Sequence, residues 1–229
     1  MTPQRFARLR QILAQRQPDL TVVTDGVHKS HNVSAILRTC DAVGVRRLHA
    51  VTGADPMPRH HMIAGGSKRW VDVVTAASIS ATYAQLRADG FTILVADAGA
   101  DAVDFRSCDF TARTAIVLGA ELKGPSTVAV SGADRSIAIP MHGMVESLNV
   151  SVAAAVVLYE AQRQKAAAGH YLHCKIDEPE YSRTLFEWAH PDIARRCREA
   201  GLPYPAMTDD GDLAENPFGR KRGKAAHAK

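Results

Sequence analysis

Hydrophobic and polar positions follow two periods along the chain. Short apolar runs rich in β-branched residues predict strands, whereas apolar positions spaced three or four residues apart predict helices. The predicted strands are 20–24, 47–52, 71–75, 91–96, 114–119 and 136–140. The predicted helices are 3–17, 32–44, 80–89, one starting near residue 148, 181–188 and 191–200. Strands that alternate with helices indicate an α/β protein, with a parallel sheet between helical layers.

The stretch IPMHGMVESLNVSVAAAVVLYEAQRQKAAA predicts a strand, a loop and a long helix of small residues. Pro140 ends the strand, and Gly143 permits unusual dihedral angles in the loop. Ser147 is placed to cap a helix that begins near Leu148 or Asn149. Such a junction offers free backbone groups beside polar side chains, so we expect chemistry there.

Two earlier segments carry polar residues beside apolar elements. In HNVSAILRTCDAVG, Asn32 is placed to cap a helix, Gly44 to end it, and Arg38 lies on its polar face. Taken alone, Asn32 needs no role beyond the cap, and the simpler role for Arg38 is an ion pair with Asp41. The second segment, TAIVLGAELKGPS, predicts a strand followed by a loop that carries Gly119, Glu121 and Gly124.

Composition indicates a globular protein with basic ends. The chain has 229 residues, of which 46% are hydrophobic, which suits one domain with terminal extensions. A net charge of +4 favours a polyanionic partner only weakly, but arginines crowd both ends. The first helix is amphipathic and basic, and docking on the protein surface and contact with RNA phosphates explain it equally well.

The cysteines and histidines indicate neither disulfides nor a metal site. Four widely spaced cysteines without a CxxC pair predict reduced thiols. No ligand spacing accompanies the adjacent histidines His60 and His61, so we expect no metal. We also expect no membrane association, because the sequence has neither an apolar leader nor a run of spanning length. These patterns together predict a cytoplasmic protein.

Particular residues exclude two nucleotide-binding classes. The segment GAELKGPS approaches the phosphate loop of nucleotide hydrolases, but Pro125 stands where that loop needs its lysine. No GxGxxG opens a helix after a predicted strand, which excludes a dinucleotide-dependent oxidoreductase.

The polar segments form an ordered motif set: Asn32 with Arg38, then GAELKG, then IPM with SLNVS. This set resembles that of the SpoU/TrmH family of the SPOUT superfamily, whose members methylate the ribose 2′-hydroxyl of RNA. The segments ARLRQILAQRQPDLTVV and GLPYP extend the resemblance toward the branch that acts on guanosine 18 in the D-loop of tRNA. The resemblance implies a homodimer and a Rossmann-like parallel sheet with a C-terminal deep trefoil knot, a feature that connectivity rules do not predict.

The resemblance also implies roles for individual residues, with S-adenosylmethionine as the methyl donor. The catalytic residues would be Arg38, Asn32, Glu121, Ser147 and Asn149. The cofactor-binding residues would be Leu118, Gly119, Glu121, Gly124, Ile139, Pro140, Met141, Met144, Leu148 and Ser151. Because arginine stays protonated in proteins, we expect Arg38 to orient the hydroxyl and stabilise nearby negative charge rather than act as a literal base.

Basic residues are the expected contacts with tRNA: Arg5, Arg8, Arg10, Arg16, Arg59, Lys68, Arg163, Arg195 and Arg196. We expect a basic helical extension at 1–18, the catalytic domain at 19–168, a helical tRNA-binding extension at 169–208 and a mobile basic tail at 209–229. Two alternatives stay open. One is the same chemistry on another tRNA position or on rRNA, and the other is an RNA-binding protein without catalysis.

Overall fold

The computed structural model describes residues 1–52 and 69–219. It divides the chain into two compact units. The sheet unit is Gln15–Lys175, and the terminal unit combines Met1–Ala14 with the chain from Ile176 onward. Most of each helical extension expected at the chain ends falls in the terminal unit, whereas residues 15–18 and 169–175 belong to the sheet unit.

The helices and strands alternate through the sheet unit, and the terminal unit is helical. In chain order the elements are α1 (Pro3–Ala14), β1 (Gln17–Asp25), α2 (Ser30–Val43), β2 (Val45–Val51), β3 (Asp72–Ala76), α3 (Ile79–Ala88), β4 (Thr92–Ala96), β5 (Val103–Asp104), β6 (Thr114–Gly119), α4 (Thr127–Gly132), β7 (Arg135–Ala138), α5 (Val150–Ala167), α6 (Glu178–Ala189) and α7 (Pro191–Ala200). Among the described helices, none is both long enough and apolar enough to cross a membrane.

The described strands form one parallel sheet in the order β3-β2-β1-β6-β4-β7-β5. The two sides of each strand face different helices. Val22 and Ile116 pack with α2 and α5, whereas Val23 and Val117 pack with α3 and α4. This confirms the predicted α/β class with helices on both faces of a parallel sheet. The trefoil knot stays a prediction.

The start of β1 corrects the predicted end of the first helix. Helix α1 ends at Ala14, and Pro18 lies inside β1 rather than after a helix. The Gln17 amide already donates to the Gly44 carbonyl at 2.8 Å, and the register with β2 shifts between Gln17 and Thr21. A proline that lacks an amide hydrogen is tolerated where the ladder is irregular in this way. The short elements β5 and α4 carry too little periodicity to be predicted.

A cluster of charges fixes the end of α5 to β1. Asp19 lies 3.2 Å from the Lys165 ammonium and 2.7 Å from the Lys175 ammonium. The Lys175 nitrogen also lies 2.6 Å from Nδ1 of His170. Lys165 has no exposed surface, so its charge depends on Asp19 for compensation.

Candidate active site

A cavity of about 310 Å³ opens at the carboxyl edge of the sheet. Its walls come from the ends of the adjacent strands β4, β6 and β7, the loop 139–149 and the first turns of α5. Parallel α/β sheets bind small molecules at this edge, and the volume lies at the lower end of the range for such sites.

The cavity collects most of the residues expected to bind a cofactor. Those that line it are Leu118, Gly119, Glu121, Gly124, Ile139, Met141 and Leu148. Ser147, expected to be catalytic, lines it as well. Pro140, Met144 and Ser151 do not line the cavity, and their contacts with a cofactor stay predictions. Met144 is 100% exposed, Pro140 is exposed, and the Ser151 hydroxyl is bound by Asn149.

The loop after β6 leaves no room for a side chain at Gly119. A Cβ there would lie 1.9 Å from the Pro125 nitrogen and 2.1 Å from the Gly124 carbonyl carbon. The loop folds back because Ala120 and Gly124 exchange two backbone hydrogen bonds of 3.0 and 2.8 Å. Gly124 has a φ of 66°, which favours glycine. Gly119 thus permits a close approach of the protein's own backbone.

Hydrogen bonds join residues from all three motif segments. The Asn32 amide donates to Glu121 Oε1 at 2.6 Å, and the Asn149 amide donates to Asn32 Oδ1 at 3.3 Å. Asn149 Oδ1 in turn accepts from the Ser151 backbone amide at 2.9 Å. The three residues Asn32, Glu121 and Asn149 therefore form one polar chain beside the cavity.

The helix caps differ from the predicted ones. Helix α2 starts at Ser30 after Lys29, so Asn32 lies within its first turn and uses its side chain for Glu121 and Asn149. The residue that caps α5 is Asn149 rather than Ser147, because the helix begins one residue after Asn149. The prediction that Gly44 ends its helix is confirmed by a left-handed φ of 84°.

Glu121 is held in its charged form. Burial raises the pKa of this carboxyl, but the Asn32 amide and the nearby Lys29 charge outweigh burial and lower the pKa below the ordinary glutamate value. Glu121 is thus an acceptor that fixes the orientation of the Asn32 amide. Asn32 in turn presents its oxygen to Asn149.

Arg38 projects from α2 into solvent and does not line the cavity. Within residues 1–52 and 69–219, its guanidinium forms neither a hydrogen bond nor an ion pair. Its expected partner Asp41 instead binds Arg16. The guanidinium of Arg38 is therefore available to a ligand.

The structure separates the arginines expected to contact RNA. Arg5, Arg8 and Arg10 are exposed on α1, and Arg195 is exposed on α7. Arg163 is exposed but donates two hydrogen bonds of 2.8 Å to Glu160, and Arg196 stacks on Phe218 at 3.9 Å. The assignment of Arg16 is corrected, because it is 1% exposed and binds Asp41 and the Val45 carbonyl. Arg59, Lys68 and the basic residues after 219 lie outside the described residues.

Two carboxylates of the cavity were missed by the sequence interpretation. Asp97 directly follows β4, and Glu146 lies in the loop before α5. The signal for Asp97 was its position at the end of a predicted strand, since carboxyl ends of parallel strands meet at one edge. Glu146 carried no such signal. In the described part of the chain, no group of three histidine, cysteine, aspartate or glutamate side chains is arranged to hold a metal.

A parallel α/β sheet with a cavity of this size at its carboxyl edge defines a protein with a small-molecule site at that edge. Residues 19–159 match the model of the SpoU rRNA Methylase family, and residues 163–216 match the model described as SpoU, rRNA methylase, C-terminal. The chain belongs to the SpoU rRNA methylase family, which confirms the resemblance noted in the sequence.

Individual relatives agree with this assignment. The tRNA (guanosine(18)-2'-O)-methyltransferase of Escherichia coli K12 is 47% identical over 93% of this chain and 94% of its own. The crystal structure of the TrmH/SpoU tRNA modifying enzyme of A. aeolicus is 39% identical, with a TM-score of 0.75 over 83% of this chain and 97% of that one. The SpoU methyltransferase AviRb from Streptomyces viridochromogenes, in complex with AdoMet, is 28% identical, with a TM-score of 0.58 over 66% and 62%.

Proposed function

We propose that this protein transfers a methyl group from S-adenosylmethionine to the ribose 2′-hydroxyl of guanosine 18 in tRNA. The observation that carries the proposal is the polar chain Glu121–Asn32–Asn149, which joins three distant motif segments beside the cavity. The 47% identity to a curated enzyme of that activity supports both the reaction and the nucleotide.

The cavity suits the adenosine part of the cofactor. Ile139, Met141 and Leu148 provide apolar surface for a purine, and the irregular backbone of the loop 139–149 supplies donors and acceptors for its edge. The bound cofactor supplies a methyl group activated on a sulfonium. The two backbone hydrogen bonds between Ala120 and Gly124 keep the opposite wall in place.

The chain's own residues contribute positioning and charge. The polar chain fixes the first turns of α2 and α5 relative to the loop after β6. This arrangement holds in place the edge of the cavity where the ribose would lie. Arg38 binds the RNA near the hydroxyl, orients its oxygen and stabilises negative charge as the oxygen bonds to the methyl carbon. Ser147 lines the same cavity and is a further hydrogen-bond donor for the substrate.

The tRNA is bound in part by the terminal unit, where exposed Arg5, Arg8 and Arg10 suit phosphate contacts. Arg195 is exposed as well and exchanges its ion pairs with Asp192 and Glu199 for phosphate. Ribosomal RNA is the second candidate substrate, because the family takes its name from rRNA methylation. A protein that acts on tRNA in this way works in the cytoplasm.

The working form is a homodimer. Val152 and Tyr159 lie two turns apart on α5 and are 47% and 54% exposed in the described chain. Leu122 and Met144, in the two loops around the cavity, are almost wholly exposed. Large apolar side chains grouped in this way are typical of a protein interface. Light scattering at several concentrations tests the assembly, and a monomer throughout contradicts it.

The decisive test is transfer of labelled methyl groups to unmodified tRNA, with rRNA fragments as the competing substrate. We expect one modified nucleotide, guanosine 18, with the label on its 2′-oxygen. Transfer to rRNA fragments alone would favour the second candidate. If neither RNA is labelled and S-adenosylmethionine does not bind, the protein is an RNA-binding protein without this catalysis.

A further inference from the structure

The cavity at the carboxyl edge carries an excess of negative charge. Its lining residues include half-buried Asp97, exposed Glu146 and Glu121, and they include no lysine, arginine or histidine in the part of the chain that the structure describes. Glu121 stays ionised, because its pKa is held low mainly by the Asn32 amide, against burial. A cavity with this lining favours a cationic ligand over a neutral one of the same shape.

Two of these acidic side chains have no hydrogen-bond or ion-pair partner in the part of the chain that the structure describes. Within the described ranges, Asp97 and Glu146 accept no side-chain hydrogen bond and form no ion pair, whereas Glu121 is occupied by Asn32. Asp97 is half-buried beside Ile137, where its own backbone amide donates to the Ile137 carbonyl at 3.1 Å. Asp97 is therefore held at a strand end that borders the cavity, and its carboxylate has no structural partner among the described residues.

The two forms of the cofactor differ by one charge. During transfer the sulfur–methyl bond breaks, its electron pair stays on sulfur, the ribose oxygen bonds to the methyl carbon, and the hydroxyl proton is released. The sulfonium donor thus becomes a neutral thioether, while the amino and carboxyl groups of the amino-acid part keep their charges. A nearby carboxylate interacts more strongly with the donor than with this product, and half-buried Asp97 is screened less by solvent than exposed Glu146.

We propose that Asp97 and Glu146 are specificity residues that make the cavity favour the sulfonium donor over its thioether product. The inference rests on the proposed function, because it takes S-adenosylmethionine as the ligand. Its consequence is that product leaves more readily than donor, so that turnover continues when S-adenosylhomocysteine accumulates.

Calorimetry on the full-length protein tests the charge preference without any turnover. Three ligands are compared: S-adenosylmethionine, S-adenosylhomocysteine and an analogue in which a protonated amine replaces the sulfonium. We expect the protein to bind both cations about tenfold more tightly than the thioether, a difference of about 1.4 kcal/mol. Asp97→Asn and Glu146→Gln should each reduce that ratio about threefold or more, chiefly by weakening the two cations, because each removes one attractive charge.

Asp101→Asn is the matched control, because Asp101 is an exposed carboxylate of the same loop that does not line the cavity. It should leave all three affinities within about twofold. Equal affinity of the unmodified protein for cations and thioether, or an equal loss for all three ligands in Asp97→Asn and Glu146→Gln, would overturn the inference and leave the proposed function intact. If the unmodified protein binds none of the three ligands, the proposed function itself is wrong.

Discussion

Arg16 binds Asp41 through both the side chain and the backbone carbonyl of that residue. Asp41 lies one helical turn from Arg38 and is its nearest acidic neighbour along α2. Asp41 is already paired with the buried Arg16. The simpler structural role predicted for Arg38, an ion pair with Asp41, is therefore wrong. The two arginines therefore have opposite roles: Arg16 stabilises the fold and Arg38 is exposed to a ligand.

Arg38→Ala is expected to lower the rate of methyl transfer by about 100-fold or more, because the proposed mechanism takes Arg38 as the charged donor to the reacting oxygen. Affinity for S-adenosylmethionine should change by less than about twofold, since Arg38 does not line the cavity. Single-turnover kinetics and calorimetry measure the two effects. Arg47→Ala, which removes an exposed arginine of β2, serves as the control. Normal turnover of Arg38→Ala would remove this residue from the mechanism.

Gly119→Ala is expected to abolish cofactor binding. The added methyl group would lie 1.9 Å from the Pro125 nitrogen, so the loop after β6 has to move away from the cavity. Gly143→Ala is the matched control in the neighbouring loop, because a Cβ there meets nothing within 4 Å. Calorimetry with S-adenosylmethionine should show binding in Gly143→Ala only. Comparable binding by both variants would show that the loop after β6 is free to rearrange.

Asp19→Asn is expected to destabilise the protein by about 3–5 kcal/mol, because Lys165 is left as a buried charge without its compensating carboxylate. The double variant Asp19→Asn with Lys165→Met should recover much of this loss, since it removes the buried charge together with its partner. Urea unfolding of both variants measures the difference. A single variant as stable as the unmodified protein would mean that the Thr111 carbonyl and solvent already stabilise the Lys165 ammonium.

Low pH should weaken the ion pairs that Asp19 forms with Lys165 and Lys175. Burial raises the pKa of Asp19, but Lys175 and Lys165 outweigh burial and lower the pKa below that of an ordinary aspartate. A lowered folded-state pKa contributes stability above the unfolded-state value, about 4, and the contribution is lost as pH falls through the folded-state value. Urea unfolding between about pH 6 and 3 should therefore show a steeper decline for the unmodified protein than for Asp19→Asn. Parallel declines would contradict this assignment.

Neutralising Arg5, Arg8 and Arg10 together to glutamine should weaken tRNA binding and flatten its dependence on salt. These side chains are exposed on one helix, and the salt slope falls by about one counterion for each phosphate that the variant no longer neutralises. Fluorescence anisotropy at several salt concentrations measures the slope. Replacing the same three residues with lysine is the control, because it keeps the charge. If the salt dependence of tRNA affinity is unchanged in the glutamine variant, α1 does not contact the tRNA phosphates and its role is structural.

The sheet could be predicted because strand and helix periods are local properties of the sequence. The strand at 114–119 is β6 with unchanged bounds, and Gly44 ends α2 as expected. The predicted C-terminal end of α1 and the predicted cap of α5 were wrong for a tertiary reason. Gln17 pairs with the Gly44 carbonyl, and Asn149 is held by Asn32, which lies more than a hundred residues earlier. Neither partner is visible in the local pattern.

Site residues that belong to a sequence motif could be predicted. Residues whose role depends only on their position in the fold could not. Asn32, Glu121 and Asn149 are joined by hydrogen bonds, as their shared motif set suggests. Arg16 looked like its neighbours on a basic helix, yet it is buried because the helix has already ended at Ala14. Asp97 was signalled only by its position after a predicted strand, and Glu146 lies in the loop before α5, where its sequence surroundings carry no signal.

The position of β6 in the sheet also bears on how the chain folds. β6 lies between β1 and β4, and its Thr114 pairs with both Leu20 and Thr92. β1 is the first strand to be synthesised, and the middle of the sheet cannot form until β6, one of the last strands, has been synthesised. Contacts between residues so distant along the chain slow folding, because the entropy of a large loop is lost before they stabilise it. During synthesis, β1 and β2 are left with an open edge until residue 119 has left the ribosome, and chaperone demand should be greatest in that interval.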